Sequence, residues 1–477
     1  MINPLELIDY ASMSPLLIVF IAALLLILLE SFTKTAAKKY SFALTAITLV
    51  FAIIAALKAP VSHNSLLTPW LAFDSFARFF TLFFLVTGLA STLLSASFFK
   101  RFKATHGEYY FLLLSAIFGL LLIGEAADFL TLFIGIETLS ISLYVLCGYM
   151  KGWQISNEAS IKYFLIGAIA TAFLVYGIAL IYGAVGTTNL AALLPSYQSL
   201  TGSNQTLFLS GIALVTLGLA FKAAVVPFHI WAPDVYDGSP TPITAFMAVG
   251  TKAGAFAAFA RVFLIALPQF DVIWSQGMAW LAAITLIYAN IVAMRQTQLR
   301  RFFAYSGIAQ AGFLLIPLVA GTADAIPALL FYLVVYACAT LGAFAILTLL
   351  DHREEGVMLH DLQGLFLRSP LLAGIFTLCL LTLAGIPPTA GFFAKFYVFK
   401  LAFQTGHYLL VIVGLLTTIF SAFYYLRFVS VMLSRDNEKP LLLVHEWGVT
   451  VVGVTSFLFI LILSIYPHPL MQWLIID

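Results

Sequence analysis

The sequence predicts an all-α polytopic membrane protein of about fourteen transmembrane helices, and three observations carry that prediction. Of its 477 residues, 62% are hydrophobic and only 9% are charged, a composition far outside that of soluble domains. Apolar runs recur along the whole chain at the length needed to cross a hydrocarbon core about 30 Å thick. Those runs lack the polar–apolar alternation of barrel strands.

The opening segment, MINPLELIDYASMSP, holds two acids and no base before the first apolar run. A secretory signal would begin with a basic region, so residues 16–32 are expected as a retained first helix. Further spans are expected near 40–57, 75–98, 108–124, 126–149, 157–184, 206–230, 241–265, 272–294, 299–320, 325–350, 369–401, 406–433 and 447–466. Two of them should be broken. Pro227 interrupts the span at 206–230, and Gly385, Pro387, Pro388 and Gly391 interrupt the overlong one at 369–401. No linker or soluble domain is evident, and the longest polar loop, 351–368, reads as a connection with an interfacial segment. Residues 1–477 are therefore expected to form a single membrane domain.

Basic residues give an orientation. With the N-terminus outside, the inside loops hold Lys34, Lys38, Lys39, Lys100, Arg101, Lys103, Lys151, Arg295, Arg300, Arg353, Arg368, Arg435 and Lys439. The outside loops keep little beyond Lys58, with Arg78, Arg261 and Lys400 near outer helix ends, and residues 185–205 carry no charge. An even helix count then leaves both termini outside.

Against this background four ionisable residues stand well inside apolar spans: Glu137, Lys222, Lys252 and Lys395. A charged side chain at the bilayer centre costs about 2.5 kcal/mol or more, so such residues point to function. Glu137 lies nine residues beyond Asp128, a depth of about 13 Å and close to the midplane. Pro227 cannot donate to the carbonyl of Ala223, which frees a backbone acceptor one residue beyond Lys222. Burial makes an ammonium's charged form costly and a nearby carboxylate makes it cheaper, so one glutamate and three lysines suit a proton relay. Snorkelling to the headgroups competes for any one lysine.

Ser140, Ser142, Thr216, Thr244, Thr251, Tyr305, Ser306, Gln310 and Thr389 could hold connecting water, with helix–helix hydrogen bonding the plainer reading of each alone. Lys162 near an inner helix end suits relay and snorkelling equally, and His229 suits proton uptake or interfacial anchoring. Arg300, Arg301, Asp234 and Asp237 are expected to form an inner-surface network. A shift of 173 positions places Lys222 on Lys395, Glu137 on Gln310 and Lys252 on Tyr425, which suggests an inverted repeat.

Other chemistry finds little support. Cys147, Cys338 and Cys379 sit in apolar runs without a CxxC pair, which disfavours iron–sulfur ligation. His63, His106, His352, His360, His407, His445 and His468 look loop-bound or interfacial, and only His229 ends a membrane run, so haem is disfavoured. Neither a Walker A sequence nor a strand–GxGxxG–helix unit is present, and no basic cluster suggests nucleic acid.

The segments SIKY (160–163), GLAFKAAVVPFHIWAPDVYDGSPTP (218–242), RRFFAYSGIAQAGF (300–313) and LAGIPPTAGFFAKFYVF (383–399), with the lysine at 252, resemble the antiporter-like subunits of respiratory complex I. Among these the chain is most similar to the subunit N type of bacterial proton-translocating NADH:quinone oxidoreductase. The resemblance runs most clearly from about 75 to 435, and its KxxxVPFHxWxPD block at 222–234 is highly specific.

It implies a fourteen-helix core with two inverted five-helix repeats, helices 1–3 within 1–107, the repeats within 108–265 and 272–433, and a last helix within 434–477. It implies a Glu137–Lys222 pair, a central Lys252 and an exit-side Lys395; beside these, Lys162, His229, Gln310, Tyr305 and Arg300 are relay or entry candidates read from the residues themselves. The M-type sibling usually has glutamate at the position of Lys395, and the L-type has a long C-terminal extension not seen here. Some relatives have histidine where this chain has Gln310, so that step would need water.

The resemblance also implies a multi-pass subunit of the bacterial inner membrane. Its partners would be another antiporter-like subunit, small membrane subunits and lipid, with no cofactor of its own. NADH, FMN, iron–sulfur clusters and quinone would then belong to partner subunits. Two other readings stand beside it: a subunit of a multi-subunit Na⁺/H⁺ antiporter, and a non-conducting structural subunit.

Overall fold

The computed structural model describes residues 9–61, 66–104, 107–268, 271–434 and 446–475, with the side chains at 34–39 and 271–273 left out. His63, His106, Arg435, Lys439 and His445 lie outside the described residues, as do the side chains of Lys34, Lys38 and Lys39.

Among the described residues, thirteen helices are long and apolar enough to cross a membrane. The first six are α1 (Tyr10–Phe32), α2 (Lys34–Lys58), α3 (Ser75–Arg101), α4 (Gly107–Gly124), α5 (Phe129–Cys147) and α6 (Gln154–Val185). After the short α7 (Leu193–Gln198) comes the first broken crossing, α8 (Ser203–Ala223) followed by α9 (Trp231–Gly238). The next crossing, Thr241–Ala266, is composite. It joins α10 (Thr241–Phe246), a π-helical turn at Met247–Thr251, α11 (Lys252–Phe259) and a second π-helical stretch at Ala260–Ala266. Then follow α12 (Asp271–Ala293), α13 (Leu299–Ala320), α14 (Ala325–Leu350) and the four-residue α15 (Leu365–Arg368), the last within the expected interfacial loop. The second broken crossing is α16 (Pro370–Ala384) with α17 (Ala390–Gln404), after which come α18 (Tyr408–Leu433), α19 (Trp447–Ile465) and α20 (His468–Trp473). Counting that broken crossing, the expected fourteen are present.

Local chemistry sets several boundaries. Asp74 caps α3 by accepting from Ala77 N, Asp128 caps α5 through Leu130 N, and Gln298 caps α13 through Arg301 N. Burial is uneven. α13, α14 and the Thr241–Ala266 crossing are almost wholly enclosed, whereas α1, α2, α6, α18 and α19 keep long apolar sides uncovered. The bundle thus surrounds a few central helices with others that face lipid or partners. Tight crossings rest on glycine: a Cβ at Gly119 would lie 2.7 Å from the Gly135 carbonyl between α4 and α5, and one at Gly211 would lie 2.8 Å from that of Gly177 between α6 and α8.

The two breaks share a backbone design. α8 ends at Ala223, Ala224 turns left-handed at φ 57°, and the Val226–Pro227 peptide is cis. α16 ends at Ala384, Gly385 turns left-handed at φ 78°, and Pro387–Pro388 is cis. Matching features lie 161 positions apart, as Pro227 and Pro388 do, which corrects the shift of 173. The discrepancy has a physical source. The shift of 173 is pinned on two lysines, and Lys222 stands five residues before Pro227 whereas Lys395 stands seven after Pro388. Those two offsets account for the whole twelve-position difference between the shifts. Lys222 therefore precedes its break while Lys395 follows the other, and the two are not equivalent positions.

Candidate functional site

The intramembrane charges assemble around those breaks. Lys222 is buried in the last turn of α8, where its Nζ donates to Ser140 Oγ at 2.6 Å and lies 5.8 Å from the Tyr144 ring. Ser140 stands three residues after Glu137 on α5, hence about one turn further along. Glu137 itself accepts from Thr171 Oγ1 of α6 at 2.6 Å. Among the described residues no ion pair within 4.0 Å joins Glu137 to Lys222, and the hydrogen-bond acceptor of Lys222 is Ser140, one turn along α5 from the carboxylate. Glu137 is only half-buried, on the flank that also exposes Ile134 and Ile141.

The acceptor freed by Pro227 is occupied. Lys252 Nζ, 3% exposed, donates to the Ala223 carbonyl at 3.2 Å. Lys252 starts α11 immediately after the π-helical turn at Met247–Thr251. Such wide turns loosen the ladder and recur at functional sites. Here Tyr336 Oη of α14 donates to the Ala248 carbonyl at 2.9 Å. Gly307 of α13 lies alongside, where an added Cβ would meet the Tyr336 hydroxyl at 3.3 Å and Lys252 Cε at an ordinary contact distance of 3.7 Å.

From α13 the polar line continues to the second break. Ser306 hydrogen-bonds the Tyr425 hydroxyl. Gln310 Nε2 donates to the Leu383 carbonyl at 3.0 Å, and its Oε1 accepts from Tyr332 Oη at 2.5 Å. The next carbonyl, that of Ala384, accepts from Lys395 Nζ at 2.7 Å, with the ammonium 4.4 Å from the Phe313 ring centre. Glu137, Lys222, Lys252, Gln310 and Lys395 thus fall on one chain of neighbouring groups, and two of the three lysines rest on the carbonyl that ends a broken half-helix. A half-helix C-terminus carries partial negative charge, which favours a cation there.

The remaining candidates separate from this line. Lys162 pairs with Glu158 and Asp234, both at 2.7 Å, and its side chain is 41% exposed. Arg301 bridges Asp234 and Asp237 at 3.1 and 3.5 Å. Arg300 lies near enough to Asp237 for its charge to act on that carboxylate, yet among the described residues it makes no ion pair within 4.0 Å. It is fully buried and donates to the Ser239 carbonyl at 2.8 Å and the Glu354 carbonyl at 2.5 Å, a clasp on two loops. Tyr305 is buried on α13 with Arg301 and Tyr288 as neighbours. His229 lies within the first break, 4.8 Å from the Tyr288 ring. Among the described residues no group of three His, Cys, Asp or Glu side chains could hold a metal.

At the other end of the bundle lies a cluster that sequence reading missed. Arg261 pairs with Asp74, and its Nη2 donates to the Gly124 carbonyl at 3.0 Å. Beside it Glu125 accepts from Thr81 at 3.0 Å, and burial pushes its carboxyl up to about 8. Acids at the ends of apolar runs look like ordinary surface residues in sequence, and no spacing marks them.

Comparison with known proteins places the fold in a family. Residues 126–421 match the family model described as NADH:quinone oxidoreductase/Mrp antiporter, TM. The NADH-quinone oxidoreductase subunit N of Protochlamydia amoebophila is 60% identical, covering 98% of both chains. The subunit N 1 of Chloroherpeton thalassium is 41% identical over 98% of this chain and 97% of its own. A chain of respiratory complex I from Thermus thermophilus superposes with a TM-score of 0.83 at 34% identity, covering 96% of this chain and 98% of that one. A chain of the Mrp complex from Dietzia reaches 0.84 at 19% identity over 98% and 97%, a likeness of fold alone. With its broken helices and near-complete coverage by these relatives, the chain belongs to the subunit N family of NADH-quinone oxidoreductases.

Proposed function

We propose that this chain moves protons across the membrane along the line Glu137–Lys222–Lys252–Gln310–Lys395, as a membrane-arm subunit of NADH-quinone oxidoreductase. The observation that carries the reading is the docking of Lys252 and Lys395 on the Ala223 and Ala384 carbonyls. An ammonium buried without a carboxylate partner needs such an acceptor, and releasing it for proton transfer exchanges one hydrogen bond for another rather than breaking a strong ion pair. Ser140 and Thr171 place a hydroxyl beside Lys222 and another beside Glu137, so a change at the carboxylate reaches the first lysine through one turn of α5. Gln310 cannot titrate at neutral pH. Its amide, fixed by Tyr332 and Leu383, orients the passage while water carries the proton past it.

Electron transfer and quinone reduction take place in partner subunits, which hold FMN, iron–sulfur clusters and quinone. The half-buried Glu137 on an exposed apolar flank suits continuation of the charge line into a neighbouring small membrane subunit. The membrane is the bacterial inner membrane, with both termini on the periplasmic side and protons passing from cytoplasm to periplasm, as the distribution of basic residues favours. The antiporter reading shares fold with the Mrp chain but only 19% identity. Inside-out vesicles separate the two. NADH-driven acidification that is indifferent to sodium is expected, and sodium-driven proton exchange without NADH would overturn the proposal.

A further inference from the structure

Away from the lysine line, the bundle carries a recess with two chemically distinct parts that adjoin. One is a hollow of about 230 Å³ near the start of α3, lined by Ser75 and Arg78 and bounded by Leu57 and Trp473. The other is a furrow of about 510 Å³ between α3, α14 and α19, lined by apolar residues such as Phe83, Leu93, Leu341 and Phe459. Phe79, Leu82 and Trp473 line both, so the hollow and the furrow adjoin across these side chains. Along α3 the furrow runs from Phe79 to Leu93, about 21 Å at 1.5 Å per residue and more than half of a hydrocarbon core about 30 Å thick.

Among the described residues the Arg78 guanidinium makes one hydrogen bond, from Nη2 to the Leu57 carbonyl at 2.5 Å, and has no carboxylate within 4.0 Å. A guanidinium with free donors at the head of a long apolar slot matches a phosphate joined to an acyl chain. Trp473 at the junction is the residue type that sits at the headgroup boundary.

We propose that the Arg78 hollow and the α3–α14–α19 furrow together bind one anionic phospholipid, its phosphate on Arg78 and an acyl chain along α3. The site is independent of the proton path, and its test reads binding rather than pumping.

The test uses the whole membrane complex in nanodiscs with a diazirine-bearing phosphatidylglycerol, followed by mapping of labelled peptides. Label is expected on the α3 and α19 segments that line the furrow, and excess unlabelled phosphatidylglycerol should displace it where phosphatidylcholine does not. Arg78→Gln should lower labelling about fivefold or more. Ala90→Trp, which fills the furrow and leaves Arg78 intact, should abolish it and keeps the test decisive if Arg78→Gln fails to assemble. Equal displacement by phosphatidylcholine would overturn the proposal. So would labelling indifferent to Ala90→Trp, or crosslinking of Cys338 to a neighbouring subunit's helix in place of lipid.

Discussion

Lys252→Met separates a conducting lysine from a structural one. The ammonium is 3% exposed and its hydrogen-bond partner is the Ala223 carbonyl at 3.2 Å. Methionine keeps the stem's length and removes the charge. Losing the hydrogen bond leaves a buried carbonyl unpaired, at about 1–3 kcal/mol. Removing the buried ammonium returns about 2.5 kcal/mol or more. The two contributions nearly cancel, so the assembled complex should resist heat as well as the parent does. Proton movement should meanwhile fall at least tenfold, because no titratable group remains between Lys222 and Gln310 on the line. The assay pairs thermal dissociation on a native gel with NADH-driven acidification of vesicles. A complex that loses heat resistance yet pumps normally would refute the reasoning and make Lys252 a structural clasp.

Three further outcomes follow from single contacts. Gly391→Ala should prevent assembly, since the added Cβ would stand 1.7 Å from the Thr382 carbonyl at the second break; a normal native-gel band would contradict that geometry. Gln310→Leu should slow pumping by removing the contacts to Tyr332 and Leu383, while Gln310→His, which both donates and accepts, should retain it. Glu125 is an acid whose carboxyl stands at about 8 when folded, against about 4.5 for an ordinary glutamate, so the folded state binds its proton more tightly. Its contribution is present at low pH and lost as pH rises from about 4.5 to about 8. Glu125→Gln should therefore raise heat resistance at pH 8.5 more than at pH 5.5, and equal shifts at both would contradict the assignment.

The sequence showed the parts of the site that local chemistry dictates. Charges are rare in apolar runs, so Glu137 and the three lysines stood out, and the missing N–H of Pro227 announced a free acceptor at Ala223. Which ammonium fills it was not readable, because Lys252 reaches Ala223 only through packing of α11 on α8. The left-handed turn at Ala224 carried no glycine to mark it, and the π-helical turn before Lys252 has no residue signature. Ser140 looked like any small helix residue until its distance to Lys222 set it apart. Repeat register failed for a different reason, since the shift was pinned on Lys222 and Lys395, which stand on opposite sides of their breaks.

The most direct test of the proton line is Lys222→Ala in the assembled complex, reading proton pumping against NADH–quinone turnover. Its ammonium rests on Ser140 near Glu137, where the line begins. Lost pumping or lost turnover, with assembly intact on a native gel, is the predicted result. Unchanged pumping at normal turnover would contradict the relay and return this lysine to a structural role.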